Sequence, residues 1–155
     1  PDIGDRGGSV VHGEAVDALA TAAGEPLGAD ERAVRAEGGT GPVHAGTKVC
    51  FMADEDEARR TAHRLWPNEA LPGELAQVLP TPAHFEQACE LVEPEMLVTP
   101  VGPDLDQHVE SLRAYADAGV DELFVQQIGP EQDAFFDEWA PAVLPQFASA
   151  AAARG

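Results

Sequence analysis

Apolar positions fall into two kinds of pattern along this chain. The run Lys48-Val49-Cys50-Phe51-Met52 is short, mostly apolar and rich in β-formers, which suits a strand buried on both faces. Leu123-Phe124-Val125, continued by Gln126-Gln127-Ile128, is a second such run. Between and after them the spacing becomes helical. Ala58, Ala62, Leu65 and Trp66 share one face. Phe85, Ala88, Cys89 and Val92 share another, and Leu105, Val109, Leu112 and Ala116 a third. Phe135, Phe136 and Trp139 are expected to face inward from a last helix that begins near Glu131 and is kinked or broken at Pro141 and Pro145.

Start and stop signals frame these stretches. Asp54 precedes Glu57 by three and Asp104 precedes Gln107 by three, each an N-cap pattern with a polar residue at the third helical position. Thr81-Pro82 is a cap followed by proline in the first turn. Pro67-Asn68 ends the first helix and Gly119 the one begun at Asp104. Leu71–Leu79, between prolines, reads as a short helix. Glu95–Val98 is open between strand and helix on periodicity alone.

Residues 1–46 differ from the rest. They are Gly-rich and poor in large apolar residues, with weakly striped helical stretches at Glu14–Ala23 and Asp30–Glu37. They read as a weakly folded segment, 47–147 as the compact region, and 148–155 as a frayed tail. Strands alternating with amphipathic helices argue for an α/β architecture with a parallel sheet. Two strands alone cannot bury both faces and leave open edges, so this sheet calls for more strands.

Composition narrows the function. The 155 residues suit one domain, and 44% hydrophobic residues suit a globular chain. The net charge of −19 excludes the basic footprint that nucleic acid or an anionic membrane surface requires. No apolar run approaches the ~18 residues of a membrane span. Cys50 and Cys89 belong to no CxxC pair and read as reduced thiols of a cytoplasmic protein. Lys48 is the only lysine. Abundant acids with almost no lysine fit either a high-salt cytoplasm or a GC-rich genome. The chain opens on Pro1, with no signal segment, and reads as a fragment or a processed product.

Most candidate chemistry dissolves on inspection. Gly41-Pro-Val-His-Ala-Gly46-Thr47-Lys48 looks like a phosphate loop, but Thr and Lys are transposed and a strand follows. The helix starts at Asp54 and Asp104 are lined with carboxylates, which complement the helix dipole and repel anions. Asp104, Asp106 and His108 fall short of a convergent metal set, and no histidine sits in a zinc spacing. Gln126 and Gln127 are the substrate-pocket candidates. They are polar residues ending an apolar strand before a Gly-Pro turn, where α/β folds place ligands.

Several segments in order then show a resemblance: Ala58-Arg-Arg-Thr-Ala-His-Arg-Leu-Trp-Pro67, Leu71-Pro-Gly-Glu-Leu75, Leu79-Pro-Thr-Pro-Ala-His-Phe-Glu-Gln-Ala88, Val101-Gly-Pro-Asp104, and Gln127-Ile-Gly-Pro-Glu-Gln132 with Phe135-Phe136. Over 47–147 the chain resembles the coenzyme F-420-dependent branch of the luciferase-like monooxygenase superfamily, relatives of F-420-dependent glucose-6-phosphate dehydrogenase. The resemblance implies the C-terminal part of a (β/α)8 TIM-like barrel, the last two strands plus a helical insertion, with Glu95–Val98 helical. It implies hydride transfer between a small organic substrate and the deazaflavin ring of F-420, with FMN as the alternative cofactor. The family's catalytic His and Glu and its cofactor-phosphate loop lie on earlier strands and have no counterpart here. The expected partner is therefore the missing N-terminal half of the barrel, or further copies in a homo-oligomer. Between Arg64 and Arg113 the chain has no Lys or Arg, so a sugar phosphate is not the expected substrate. The rival reading is a non-enzymatic acidic α/β domain that binds a protein partner.

Overall fold

The computed structural model describes residues 9–11, 41–72 and 75–147. The helical stretches expected at Glu14–Ala23 and Asp30–Glu37 and the tail from residue 148 lie outside them. Three strands, β1 (Ser9–Val11), β2 (Val43–Val49) and β3 (Glu122–Gln127), form one sheet in the order β1-β2-β3. Both pairings are parallel, and in the second His44 lies opposite Glu122 and Lys48 opposite Gln126.

The sheet has one strand more than the sequence indicated, because a three-residue strand carries no readable period. Strand β2 also begins earlier than the apolar run, at Val43 rather than Lys48, and its last ladder residue is Val49. Its alternation of buried and half-buried positions is masked in sequence by small Ala45 and Gly46. Past Val49 the chain continues through a single bridge, Cys50 with Val101, held by Cys50 N–H to Pro100 O and Gly102 N–H to Cys50 O.

Helix α1 (Glu55–Leu65) starts where Asp54 accepts the Glu57 N–H at 2.7 Å. A 3₁₀ turn (Pro67–Ala70), α2 (Leu75–Val78) and α3 (Pro82–Cys89), capped by Thr81, follow. The helix expected over Leu71–Leu79 is thus a single turn. The segment expected to be helical at Glu95–Val98 is a 3₁₀ turn over Pro94–Met96 that opens into extended chain. Proline starts that turn and Pro100 bars any continuation. The Glu69 carboxylate takes the Val98 and Thr99 N–H groups and the Thr99 hydroxyl, replacing helical hydrogen bonds.

Helix α4 (Leu105–Asp117) is capped by Asp104, which accepts from Asp106 N–H and Gln107 N–H. Gly119, at φ +93°, turns the chain into β3. After β3 come α5 (Gln132–Ala134), a wide π turn (Phe135–Trp139) and α6 (Ala140–Val143). The wide turn brings the chain to Pro141 without driving its ring into a preceding carbonyl, so the helix passes the proline unbroken. It also changes the helical phase. Phe135 and Trp139 are buried, but Phe136 is exposed, against the expected inward face.

Val43, Ala45, Thr47 and Val49 on β2 are buried, while His44, Gly46 and Lys48 on the opposite face are not. On the buried side Val49, Phe51, Val109, Leu112, Phe135, Trp139 and Val143 form one core between sheet, α4 and the last helix. A second core joins Cys50 and Met52 to Ala58 and Ala62 of α1 and to Val92, Leu97 and Val101. Each large side chain fully buried in this way contributes about 1.5–3 kcal/mol. No helix among the described residues is long and apolar enough to cross a membrane.

Candidate functional site

One side of the sheet is covered by α4 and the last helix; on the other, Trp66 at the end of α1 lies over Lys48, and the rest of the row is open among the described residues. Alternation along the strands puts His44, Gly46 and Lys48 of β2 on the open row. The register brings Glu122, Phe124 and Gln126 of β3 beside them. A Cβ on Gly46 would meet nothing nearer than the Phe124 carbonyl oxygen at 3.9 Å, so the middle of this face has room.

At the amino end of the row, His44 Nδ1 and Glu122 Oε2 lie 3.0 Å apart, and the His44 ring stacks on Phe124 at 6.2 Å between centroids. Phe124 keeps 60% of its surface exposed, high for an aromatic residue in a strand. At the carboxyl end, where parallel sheets carry their ligands, Lys48 and Gln126 are cross-strand neighbours. The Lys48 ammonium lies 4.3 Å from the centre of the Trp66 ring, just past the end of α1. That contact is its one interaction with the described residues. The Gln126 carboxamide has no hydrogen-bond partner among them, and the Trp66 Nε1–H is buried without an acceptor.

The two glutamines singled out by sequence therefore part company. Gln127 turns to the helix-covered side, where its Oε1 accepts the Phe51 N–H at 2.9 Å and its Nε2 donates to the Phe51 oxygen at 2.8 Å. It ties the carboxyl ends of β2 and β3 together, as one more ladder pair would. Gln126 faces the open side. In the following loop the Gln132 carboxamide donates to the carbonyls of Gln127 and Gly129. A Cβ on Gly129 would sit 3.1 Å from Gln127 Nε2 and 3.2 Å from Cys50 Sγ, so this turn packs directly against the strand ends.

Other titratable groups are structural. Burial pushes the Cys50 thiol up to about 11, so it is protonated at neutral pH and no nucleophile. Burial also raises the Cys89 thiol, and both cysteines are free. His108, fully buried, is held by two hydrogen bonds. Its Nδ1 accepts from Trp139 Nε1–H at 3.0 Å, and its Nε2–H donates to the Gly102 oxygen at 3.1 Å. Desolvation lowers its pKa, only partly opposed by the Gly102 carbonyl and the Asp104 charge. His108 thus belongs to the core and not to a metal set with Asp104 and Asp106; the described residues hold no cluster of three metal-ligating side chains. The sequence missed Lys48 and Trp66 as a pair. The available signal was the solitary lysine in a strand otherwise free of charge.

Among known proteins, no family model matches the chain, and no curated protein matches it. Among solved structures it is similar to an F-420-dependent secondary alcohol dehydrogenase in complex with an F-420–acetone adduct, at 15% identity and a TM-score of 0.59. The match covers 74% of this chain and 36% of that one. This likeness shows the fold: a mixed α/β chain with helices and a parallel sheet, resembling part of an F-420-dependent TIM-barrel enzyme.

Proposed function

We propose that this chain is the carboxyl-terminal part of a luciferase-like (β/α)8 barrel and serves an oxidoreductase that exchanges hydride between a small organic substrate and coenzyme F-420. One observation carries the reading. Three parallel strands in sequential order carry α4 and the last helix against one face, and among the described residues the other face presents Lys48 and Gln126 at the strands' carboxyl ends, with Phe124 in mid-row. In a (β/α)8 barrel the helices form the outer ring, the other strand face points inward, and active sites sit at the carboxyl-terminal rim. The outer edge of β3, unpaired among the described residues, is where such a barrel closes on further strands, supplied by more of the same polypeptide or by another copy.

The open row fits a flat, carbonyl-rich cofactor. Phe124 offers an aromatic plane that would lie against the ring, and the exposed donors nearby suit its oxygens. F-420, when bound, supplies or accepts the hydride. FMN has a ring of similar shape and is the alternative cofactor. The catalytic His and Glu of the resembled family, and its phosphate loop, fall on strands outside the part resembled here, so this part of the barrel does not turn over alone. A sugar phosphate is not the substrate, because the region from Arg64 to Arg113 supplies no cation between those two arginines.

Titration of the purified chain with F-420 and with FMN, followed by cofactor fluorescence at low and at molar salt, tests this together with its oligomeric state. The expected result is an assembling or loosely folded chain that binds F-420 saturably only once the barrel is completed. A monomer that unfolds in one sharp step and leaves both cofactors untouched would overturn the reading and favour a non-enzymatic acidic domain.

A further inference from the structure

At its carboxyl end the open sheet face carries polar donors, Lys48 and Gln126, that no hydrogen-bond acceptor or carboxylate among the described residues engages. Lys48 is the chain's only lysine, in a protein with 28 acidic residues and 9 basic ones. Yet no carboxylate among the described residues pairs with it; its one contact with them is the Trp66 ring, 4.3 Å from the ammonium. By contrast Arg59 and Arg60 on α1 both find acids on their own helix, at 3.2 Å and 2.8 Å. A cation without a counter-ion among the described residues, steadied on an aromatic face, has N–H donors to offer a ligand. Gln126, directly across the ladder, adds a carboxamide with no partner among the described residues. Phe124, diagonal to Lys48 on the same row, lies about 7–8 Å away by the spacing of such neighbours and is largely bare.

We propose that Lys48 and Gln126 form the recognition site for the carboxylate of a monoanionic substrate whose flat apolar body lies toward Phe124. One carboxylate oxygen takes the ammonium and the other the carboxamide N–H, a charge-assisted pair. The single positive charge matches a single negative one. A phosphate dianion is disfavoured, because no guanidinium stands on this row and the Glu122 carboxylate shares it. The proposal takes the open face as the ligand face, and in that it rests on the function proposed above.

Benzoate is the probe, benzamide its neutral isostere, and inorganic phosphate the competing anion. Each is titrated into the full chain at neutral pH by equilibrium dialysis and by the NMR signals of the indole N–H groups. The chain has two tryptophans, so Trp66 and the core Trp139 give separate signals. Benzoate is expected to bind saturably and to move the Trp66 signal but not that of Trp139. Benzamide and phosphate are expected to bind at least about tenfold more weakly, and Lys48→Met to weaken benzoate by about ten- to a hundredfold, the range of a hydrogen bond to a charged group. Lys48→Arg is expected to restore most of that loss. Equal binding of benzoate and benzamide, tighter binding of phosphate, or unchanged benzoate binding in Lys48→Met overturns the proposal, and the first two comparisons need no variant. Benzoate binding without F-420 binding refutes the coenzyme reading alone; F-420 binding with indifference to benzoate refutes the carboxylate site alone.

Discussion

His108 makes this fold acid-sensitive. The imidazole is enclosed, with Nε2–H given to the Gly102 carbonyl and Nδ1 receiving the Trp139 indole N–H. Protonation would put the ring's second hydrogen on Nδ1, facing the indole hydrogen, and would charge a ring packed between Phe51 and Trp139. Burial accordingly holds its pKa below the ordinary 6.5. A group whose native pKa is depressed this way binds its proton in the unfolded state first. Stability is then complete above the unfolded value and declines as pH falls through it, by at most 1.36 kcal/mol per pH unit, until the native pKa is reached. One pH unit below 6.5 the loss is at most about 1.4 kcal/mol, the limit for an imidazole that stays neutral in the native state.

Urea unfolding at about pH 7.5 and about pH 5.5, compared between the wild type and His108→Leu, isolates this contribution, because the two proteins differ at this one ionisable group. The variant loses stability at both pH values, since it orphans the Trp139 N–H and the Gly102 carbonyl at about 1–3 kcal/mol each. Its pH dependence, however, should be shallower than the wild type's over this interval, by no more than about 1.4 kcal/mol. Parallel curves, or a wild type that gains stability on acidification relative to the variant, would refute a neutral, hydrogen-bonded His108.

Two further substitutions probe the frame of the site. Gly102 has φ +84°, and a Cβ there would lie 2.9 Å from Glu55 Cβ and Cγ, so Gly102→Ala is expected to cost about 1–3 kcal/mol in urea unfolding. Gln127→Leu removes both hydrogen bonds to the Phe51 backbone; it should destabilise by about 1–3 kcal/mol and speed amide exchange at Phe51, with Gln126→Leu, on the open face, changing neither.

What the sequence disclosed follows from the range over which each feature acts. The caps at Asp54, Thr81 and Asp104 are contacts across two or three residues, and all three were readable. The face of α4 was read only in part. Val109 and Leu112 are buried as the spacing predicts, but His108 and Tyr115 share the burial, each through a polar bond to a distant partner: Trp139, and Thr47 at 3.0 Å. Polar side chains enter a core only when such a partner exists, and periodicity says nothing of partners. The difference between Gln126 and Gln127 was illegible for the same reason, since the Phe51 backbone that engages Gln127 lies 76 positions away. The extra strand and the early start of β2 depend on pairing, not on their own residues.

Satisfaction of polar groups then separates what supports the fold from what the fold leaves available. On the helix-covered side and in the flanking loops, Tyr115 bonds Thr47, His108 bonds Trp139 and Gly102, Gln127 bonds Phe51, and Glu69 gathers the amides of Val98 and Thr99. Those groups could not be left unpaired without a cost of about 1–3 kcal/mol apiece. On the open row the rule lapses at one end only. His44 and Glu122 pair with each other at the amino end, while Lys48 and Gln126 have no polar partner among the described residues at the carboxyl end. Solvent exposure alone would treat both ends alike. The asymmetry falls at the end of a parallel sheet where α/β folds bind their ligands.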